Sequence, residues 1–126
     1  MTRARALALW APVFAYMALI FFLSAQPQPP LPSEITDKQG HSLGYMGLAI
    51  TTARALAGGL ASGASLGAAT GAWAIASAYA ATDEWHQSFV PGRSADVHDW
   101  YADAIGALIG AGGCWAWGII RSRADV

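Results

Sequence analysis

Charged residues and cysteines are both scarce in this sequence. Only 12% of its 126 residues are charged, whereas a soluble domain is about 25% charged. The single cysteine, Cys114, excludes an internal disulfide and a cysteine-rich metal site. A formal net charge of −1 without a basic patch excludes the electrostatic attraction that nucleic-acid binding requires. With 55% hydrophobic residues and a mean hydropathy of +0.35, the composition instead predicts a membrane protein.

Three long segments contain no charged residue, and they divide the chain into apolar stretches. They cover residues 6–33, 55–82 and 104–120, and a helix that crosses a membrane needs ~20 mostly apolar residues. We predict an all-α, integral membrane four-helix bundle that forms one domain over residues 1–126, with spans at about 6–24, 38–57, 60–82 and 99–120. A cleaved signal peptide is the alternative for the first apolar stretch. A re-entrant helix at the interface is the alternative for the second span.

Small residues recur at intervals of four in the third and fourth predicted spans. The third contains Gly63, Gly67 and Gly71, and the fourth contains Gly106 and Gly110. Lipid provides little hydrophobic drive to pair helices, so small residues that allow close backbone approach hold membrane helices together. The spacing therefore predicts two tightly packed helices.

The positions of the cations predict an orientation. Four spans place both termini on the same side of the membrane. Lys38 and Arg93 then lie on the opposite side from five arginines, which are Arg3, Arg5, Arg54, Arg121 and Arg123. Because cytoplasmic loops carry the excess of positive charge, we predict a multi-pass protein of the inner (plasma) membrane with both termini in the cytoplasm. The start of the second span and the loop between the third and fourth then face outward.

Most of the ionisable residues lie where the third span ends and the fourth begins. This stretch holds five of the eight acidic residues and two of the three histidines. Asp96, Asp99 and Asp103 are spaced at i, i+3 and i+7, and the same helical face continues to Gly106 and Gly110. The acidic face should therefore point into the bundle. Ionisable groups beside the hydrocarbon layer are costly unless they are paired or hydrated, so we interpret this cluster as a candidate site.

Three interpretations of the cluster remain open. In the first, Lys38 and Arg93 neutralise the acids, and the network only holds the helices together. In the second, these cations bind the phosphate or carboxylate of a polar headgroup or glycan-like ligand, while the carboxylates accept hydroxyl hydrogen bonds. In the third, His41 or His86 acts as a general base that an acidic residue orients. His41 is the stronger candidate, because it shares a helical face with Lys38 and Tyr45.

The sequence contains no standard metal-binding spacing such as His-Glu-x-x-His. We therefore assign no metal site and no cofactor. An oxygen-rich site for Mg²⁺, Ca²⁺ or Mn²⁺ remains an alternative. Its ligands would be a histidine and carboxylates from Asp83, Glu84, Asp96 and Asp99.

Two ordered motifs and a shorter third one resemble the VanZ-like family of small bacterial membrane proteins. The first is D-K-x-x-H-x-x-x-Y-x-x-L from Asp37, and the second is D-E-x-x-Q-S-F-V-P-G-R-x-x-D from Asp83. The third is D-x-x-G from Asp103. The resemblance covers nearly the whole chain, and the order and spacing of the motifs between apolar stretches make it specific.

The resemblance implies an integral membrane protein of the bacterial cell envelope. The family is named for a member linked to low-level resistance to the glycopeptide teicoplanin, but the resemblance supplies no reaction. The positions that match its motifs are Asp37, Lys38, His41, Tyr45, Asp83, Glu84, Gln87, Arg93 and Asp96. Asp103 departs from the pattern, which usually has asparagine there, and the added negative charge calls for a proton or an extra cation.

We therefore predict that the chain binds or handles an envelope component such as a lipid-linked wall precursor. The predicted ligand-binding residues are Lys38, His41, Tyr45, Asp83, Glu84, Gln87, Arg93, Asp96 and Asp103. The first alternative is a small membrane enzyme that acts on a lipid-linked phosphate or glycan, with His41 and Glu84 as catalytic candidates. The second is a structural membrane subunit without a ligand. The bilayer is the expected partner in each case.

Overall fold

The protein is a bundle of four helices. The computed structural model describes residues 2–26, 37–93 and 96–124, and the side chains of residues 37 and 38 are outside that description. The helices are α1 (Arg3–Ser24), α2 (Asp37–Ala57), α3 (Leu66–Gln87) and α4 (Val97–Ala124). No strand occurs in the described ranges. The predicted all-α, four-helix fold is confirmed.

The third helix begins later than the boundary predicted near residue 60. Gly58 and Gly63 have φ values of 73° and 74°, a left-handed conformation that favours glycine and cannot continue a helix. Ser65 then caps α3, because its side chain accepts a hydrogen bond of 3.1 Å from the backbone N–H of Ala68. The segment between α2 and α3 is therefore a connection that ends at this cap.

The second helix is at the centre of the bundle. It packs against each of the other three helices, and its contact with α4 is the most extensive. The first helix is peripheral and, within the described residues, contacts α2 and α3 only. Alanine dominates the buried core, together with a few larger side chains, chiefly Tyr45, Leu48 and Val13. Small core residues let the helices approach closely.

The close contact predicted for the fourth helix is present and is made with α2. A Cβ atom added to Gly106 would overlap the backbone oxygen of Ser42, and one added to Gly110 would overlap that of Met46. Both glycines are buried. The glycine spacing in α4 thus brings the backbones of α2 and α4 together.

Of the glycine stripe predicted for the third span, only Gly71 makes a close contact from within α3, where an added Cβ would lie 3.2 Å from the Leu56 side chain of α2. Gly63 precedes α3, where it packs against the backbone of Gly118. Gly67 is exposed, and a Cβ there would meet only the side chain of its own cap, Ser65. The buried stripe of α3 instead consists of alanines, namely Ala69, Ala72, Ala76 and Ala80. Close packing is achieved by alanine here and by glycine in α4.

Large apolar side chains cover much of the outside of the bundle. Phe14 on α1 is 64% exposed, and Leu108 on α4 is 55% exposed. Of the described helices, α1 and α4 are long and apolar enough to cross a membrane, judged by length and composition. Both helices turn apolar faces away from the bundle, as a lipid environment favours.

Candidate functional site

The helices bring most of the predicted site residues to one end of the bundle. Successive helices run in opposite directions, so the last turns of α1 and α3 lie beside the first turns of α2 and α4. The described polar groups there comprise Ser24, His41, Tyr45, Asp83, Glu84, Gln87, Arg93, Asp99 and Asp103. We call this set the polar cluster.

Asp83 is the hydrogen-bonding centre of one half of the polar cluster. Its Oδ2 atom accepts hydrogen bonds from Ser24 Oγ at 2.9 Å, from Tyr45 Oη at 3.0 Å and from Gln87 Nε2 at 3.2 Å. These donors come from α1, α2 and α3, and all four residues are buried. A single carboxylate oxygen thereby joins three helices, through bonds of the charge-assisted kind that are stronger than neutral ones.

His41 and Asp103 form the other half. His41 Nδ1 lies 3.0 Å from Asp103 Oδ1, and Arg93 Nη2 lies 3.3 Å from His41 Nε2. An arginine can only donate, so Nε2 accepts, and Nδ1 carries the proton that it donates to Asp103. The histidine is therefore a neutral ring held between a cation and a carboxylate.

Arg93 connects the two halves. Its Nη2 and Nε atoms donate to Gln87 Oε1 at 3.0 and 3.3 Å, and its Nη1 donates to the carbonyl oxygen of Gln26 at 3.2 Å. The chain running from Asp83 through Gln87 and Arg93 to His41 is thus continuous. The guanidinium is thereby linked to Asp83 through Gln87 and to Asp103 through His41.

Three buried carboxylate oxygens have no hydrogen-bond partner among the described residues. They are Asp83 Oδ1, Glu84 Oε2 and Asp103 Oδ2. Asp103 itself has 0% exposure, and Asp83 has 3%. Leaving buried acceptors unsatisfied is costly. The polar cluster can therefore accept donors or a cation beyond those that its own described side chains supply.

Glu84 lies at the edge of the polar cluster, beyond the predicted span 60–82. Its Oε1 atom accepts a hydrogen bond from the backbone N–H of Asp96. Partial burial raises the pKa of its carboxyl above the ordinary value, and the Asp96 N–H opposes this shift. Ligand atoms of Glu84, His41 and Asp103 all lie within 4.8 Å of one another. Three helices thus supply one nitrogen and two carboxylates to a small volume.

A sequence comparison identifies the family to which this fold and polar cluster belong. The family described as VanZ/LLP1 matches residues 5–120, nearly the whole chain. The chain belongs to the VanZ/LLP1 family. The resemblance noted from the motifs is confirmed, and with two helices apolar enough to span, it places the chain at a membrane. Comparison with curated proteins and with solved structures finds no match.

The polar cluster contains most, but not all, of the VanZ/LLP1 motif residues. Among the predicted ligand-binding residues, the structure brings together His41, Tyr45, Asp83, Glu84, Gln87, Arg93 and Asp103. Asp96 differs, because its side chain is 46% exposed and pairs with His98 at 2.9 Å. Its backbone N–H donates to Glu84 of the polar cluster. The Lys38 side chain lies outside the described part, so the prediction made for it stays a prediction.

Two buried members of the polar cluster, Ser24 and Asp99, are not among the predicted ligand-binding residues. Ser24 donates to Asp83, and Asp99 is only 7% exposed. Ser24 follows Val13 and Ile20 on the buried face of α1, so the spacing of eleven and four residues was the available signal. Asp99 was visible in the acidic stripe, but nothing in the spacing separates it from the exposed Asp96.

Proposed function

We propose that this VanZ/LLP1 protein crosses the inner membrane several times and binds the polar head of an envelope lipid at its polar cluster. A lipid-linked wall precursor is the ligand class that we favour. The supporting observation is the set of buried carboxylate oxygens without described partners at one end of an otherwise apolar bundle. Such acceptors suit the hydroxyl and amide donors of a glycan or peptide headgroup.

The charge distribution supports an outward orientation of the polar cluster. At the opposite end, Arg5 donates to the carbonyl oxygen of Gly58 at 2.7 Å, and Arg54 donates to that of Ala8 at 3.2 Å. The two arginines of the last turn of α4 share this end. Because cytoplasmic segments carry the excess of arginine and lysine, both termini would be cytoplasmic and the polar cluster would face outward.

A lipid ligand would reach the cluster from the side of the bundle. The exposed apolar faces of α1 and α4 leave room for a polyprenyl chain to lie in the bilayer while its head enters the cluster. Arg93 would bind a phosphate of that ligand by exchanging one of its present acceptors, Gln87, His41 or the Gln26 carbonyl. The carboxylates would then bind the sugar or peptide part.

The second candidate function is a small membrane enzyme that acts on the same class of lipid. The His41–Asp103 pair at 3.0 Å favours it, because a carboxylate that holds the ring in one tautomer is the arrangement of a general base. His41 Nε2 would have to be released by Arg93 before it could take a proton. Turnover that is lost in His41→Ala or Glu84→Gln, with the fold retained, would identify an enzyme.

The binding proposal can be tested with native mass spectrometry on the full chain in nanodiscs. The probes are an undecaprenyl-linked disaccharide pentapeptide and undecaprenyl phosphate, which separate headgroup recognition from phosphate recognition. Because a hydrogen bond to a charged group contributes about 1.5–3 kcal/mol, we expect Arg93→Ala and Glu84→Gln to weaken binding of the first probe by roughly tenfold or more.

The control is His98→Gln, which removes an exposed ring that contacts Asp96 and Tyr101 and none of the residues of the polar cluster in the described contacts. We expect it to bind as the native chain does. Equal binding by the native chain, Arg93→Ala and Lys38→Ala would refute the proposal. A link to glycopeptide resistance, which the family name suggests, would appear as reduced teicoplanin susceptibility on expression of the native chain but not of Arg93→Ala.

A further inference from the structure

A group of three potential metal-binding side chains in the described part of the chain lies within the polar cluster. One ligand atom each from His41, Glu84 and Asp103 fall within 4.8 Å of one another. The residues come from α2, α3 and α4. Such a set is not visible as a sequence motif, because His41 and Glu84 are 43 positions apart in the chain.

The geometry points to a binding site for one divalent cation at His41, Glu84 and Asp103. This inference concerns a ligand other than the lipid of the proposed function and does not depend on it. The cation would lie between these three helices, beside the carboxylates of Glu84 and Asp103. Arg93 is the cation that the structure shows in contact with this group.

The first supporting observation is the distance between His41 and Asp103. Two ligands that are each about 2.1 Å from an ion, and at right angles, lie about 3.0 Å apart. The His41 Nδ1 to Asp103 Oδ1 distance is 3.0 Å. A cation can therefore replace the proton shared by these atoms with little movement of either side chain. Glu84 is half-buried, and one of its oxygens lies within 4.8 Å of the ligand atoms of both other residues.

The second, independent observation is the pair of unsatisfied oxygens. Asp103 is fully buried, yet its Oδ2 atom has no hydrogen-bond partner among the described residues. Glu84 Oε2 is also buried without a described partner. An exposed acidic cluster would satisfy such atoms with water. Fully buried carboxylate oxygens require a donor or a metal ion instead.

The ligand chemistry indicates the class of cation. Ca²⁺ and Mg²⁺ prefer oxygen ligands only, whereas Zn²⁺ and Mn²⁺ accept an imidazole nitrogen together with carboxylates. His41 therefore favours a first-row transition ion over Ca²⁺. Three protein ligands leave at least one coordination position for water or another ligand.

Cation binding also changes the role of Arg93. When His41 Nδ1 binds the ion, the proton of the neutral ring moves to Nε2, where it opposes the guanidinium N–H. Arg93 then keeps its bonds to Gln87 and to the Gln26 carbonyl and turns away from the ring. The number of protons is unchanged. Removing Arg93 should therefore strengthen cation binding, because it removes a nearby positive charge.

The test is a titration of the full chain, in detergent and without added lipid, after treatment with a chelator. Mn²⁺ is the probe, and the loss of the free-ion electron paramagnetic resonance signal reports binding, with Zn²⁺ and Ca²⁺ as competitors. We expect one Mn²⁺ per chain, displacement by Zn²⁺ and little displacement by equal Ca²⁺. Loss of one ligand in Asp103→Asn, Glu84→Gln or His41→Gln should weaken binding by about 100-fold.

A matched control comes from the exposed pair near the polar cluster. His98 Nδ1 and Asp96 Oδ1 are 2.9 Å apart, nearly the same as in the buried pair, but both side chains are exposed. His98→Gln should therefore bind Mn²⁺ as the native chain does. A rise in the thermal midpoint on adding Mn²⁺, present in the control and absent in Asp103→Asn, separates loss of the site from loss of the fold.

Two outcomes would overturn the inference. One is a native chain that binds no Mn²⁺ or Zn²⁺, and the other is binding that His41→Gln and Asp103→Asn leave unchanged. Arg93→Ala separates this result from the proposed function, because it should weaken binding of the lipid probe and strengthen binding of Mn²⁺. If the chain binds Mn²⁺ but not the lipid probe, the proposed function fails and the inference of a cation site stands.

Discussion

At the scale of single residues, Asp83 is a motif residue whose hydrogen bonds hold three helices together. Its motif neighbour Gln87 is one helical turn away, and Tyr45 belongs to a different motif on another helix. The structure joins all three through one carboxylate oxygen. Their convergence could be predicted from the helical faces. The donor from Ser24 could not, because its rotation about α1 depends on how that helix packs.

Tyr45→Phe tests how much the hydrogen bonds to Asp83 contribute to the stability of the fold. The substitution keeps the buried ring and removes the hydroxyl that donates to Asp83 at 3.0 Å. A hydrogen bond to a charged group contributes about 1.5–3 kcal/mol, so we expect the free energy of unfolding to fall by about that amount. Thermal or denaturant unfolding in detergent, followed by circular dichroism, measures it.

Tyr101→Phe is the matched control for this prediction. Tyr101 is 51% exposed, and its described contacts are ring contacts with His98 and Trp100, which phenylalanine retains. Its stability should match that of the native chain. If the two variants were equally stable, the hydrogen bond from Tyr45 to Asp83 would contribute little to the stability of the fold.

At the scale of helices, glycine has two separate roles that its spacing in the sequence does not distinguish. Gly106 allows the backbone of α2 to approach α4, as predicted. Gly63 instead has a left-handed backbone and lies before α3. The regular interval of four residues was therefore misleading in the third span. The Ser65 cap was a local signal in the sequence that would have placed the helix start correctly.

Gly106→Ala should disrupt the contact between α2 and α4. The added Cβ would overlap the backbone oxygen of Ser42, which a side-chain rotation cannot relieve. Overpacking of this kind costs about 1–3 kcal/mol or more. Because Ser42 follows His41 and Gly106 is three residues from Asp103, the shift should also lengthen the His41–Asp103 contact. Unfolding measurements and the Mn²⁺ titration report the two effects.

Gly112→Ala provides the comparison on the same helix. A Cβ there meets no atom within 4 Å, and alanine is the better helix former by about 1 kcal/mol. This variant should be as stable as the native chain or slightly more so. If both substitutions destabilised the protein equally, glycine would be needed at position 106 for the flexibility of α4 and not for the close approach of α2.

At the scale of the whole molecule, the polar cluster lies at one end of the bundle, and Arg5 and Arg54 lie at the other. This separation arises because successive helices run in opposite directions. The charge-free stretches and the apolar segment between Lys38 and Arg54 were sufficient to predict four helices. The spacing of the acids with Gly106 and Gly110 predicted that the acidic face points into the bundle. These patterns were not sufficient to pair His41 with Asp103, which are 62 residues apart. That contact depends on the rotation of α2 and α4 about their axes, which the glycine contacts determine.

The orientation prediction can be tested with two exposed serines that share the same local geometry. Ser88 Oγ donates to the Trp85 carbonyl, and Ser122 Oγ donates to that of Ile119, each three residues earlier. Ser88 lies at the polar end and Ser122 at the arginine end. Each is changed to cysteine in a Cys114→Ser background, whose native thiol is buried, so local exposure and bonding are matched and only the side of the membrane differs.

A membrane-impermeant maleimide applied to intact cells should label Ser88→Cys, because an excess of arginine keeps the opposite end in the cytoplasm. Ser122→Cys should react only after the membrane is permeabilised. The reverse pattern would place the polar cluster in the cytoplasm and exclude direct access to outer-leaflet precursors. Equal labelling of both in intact cells would mean that α4 does not cross the bilayer, because its length of 28 residues separates the two positions.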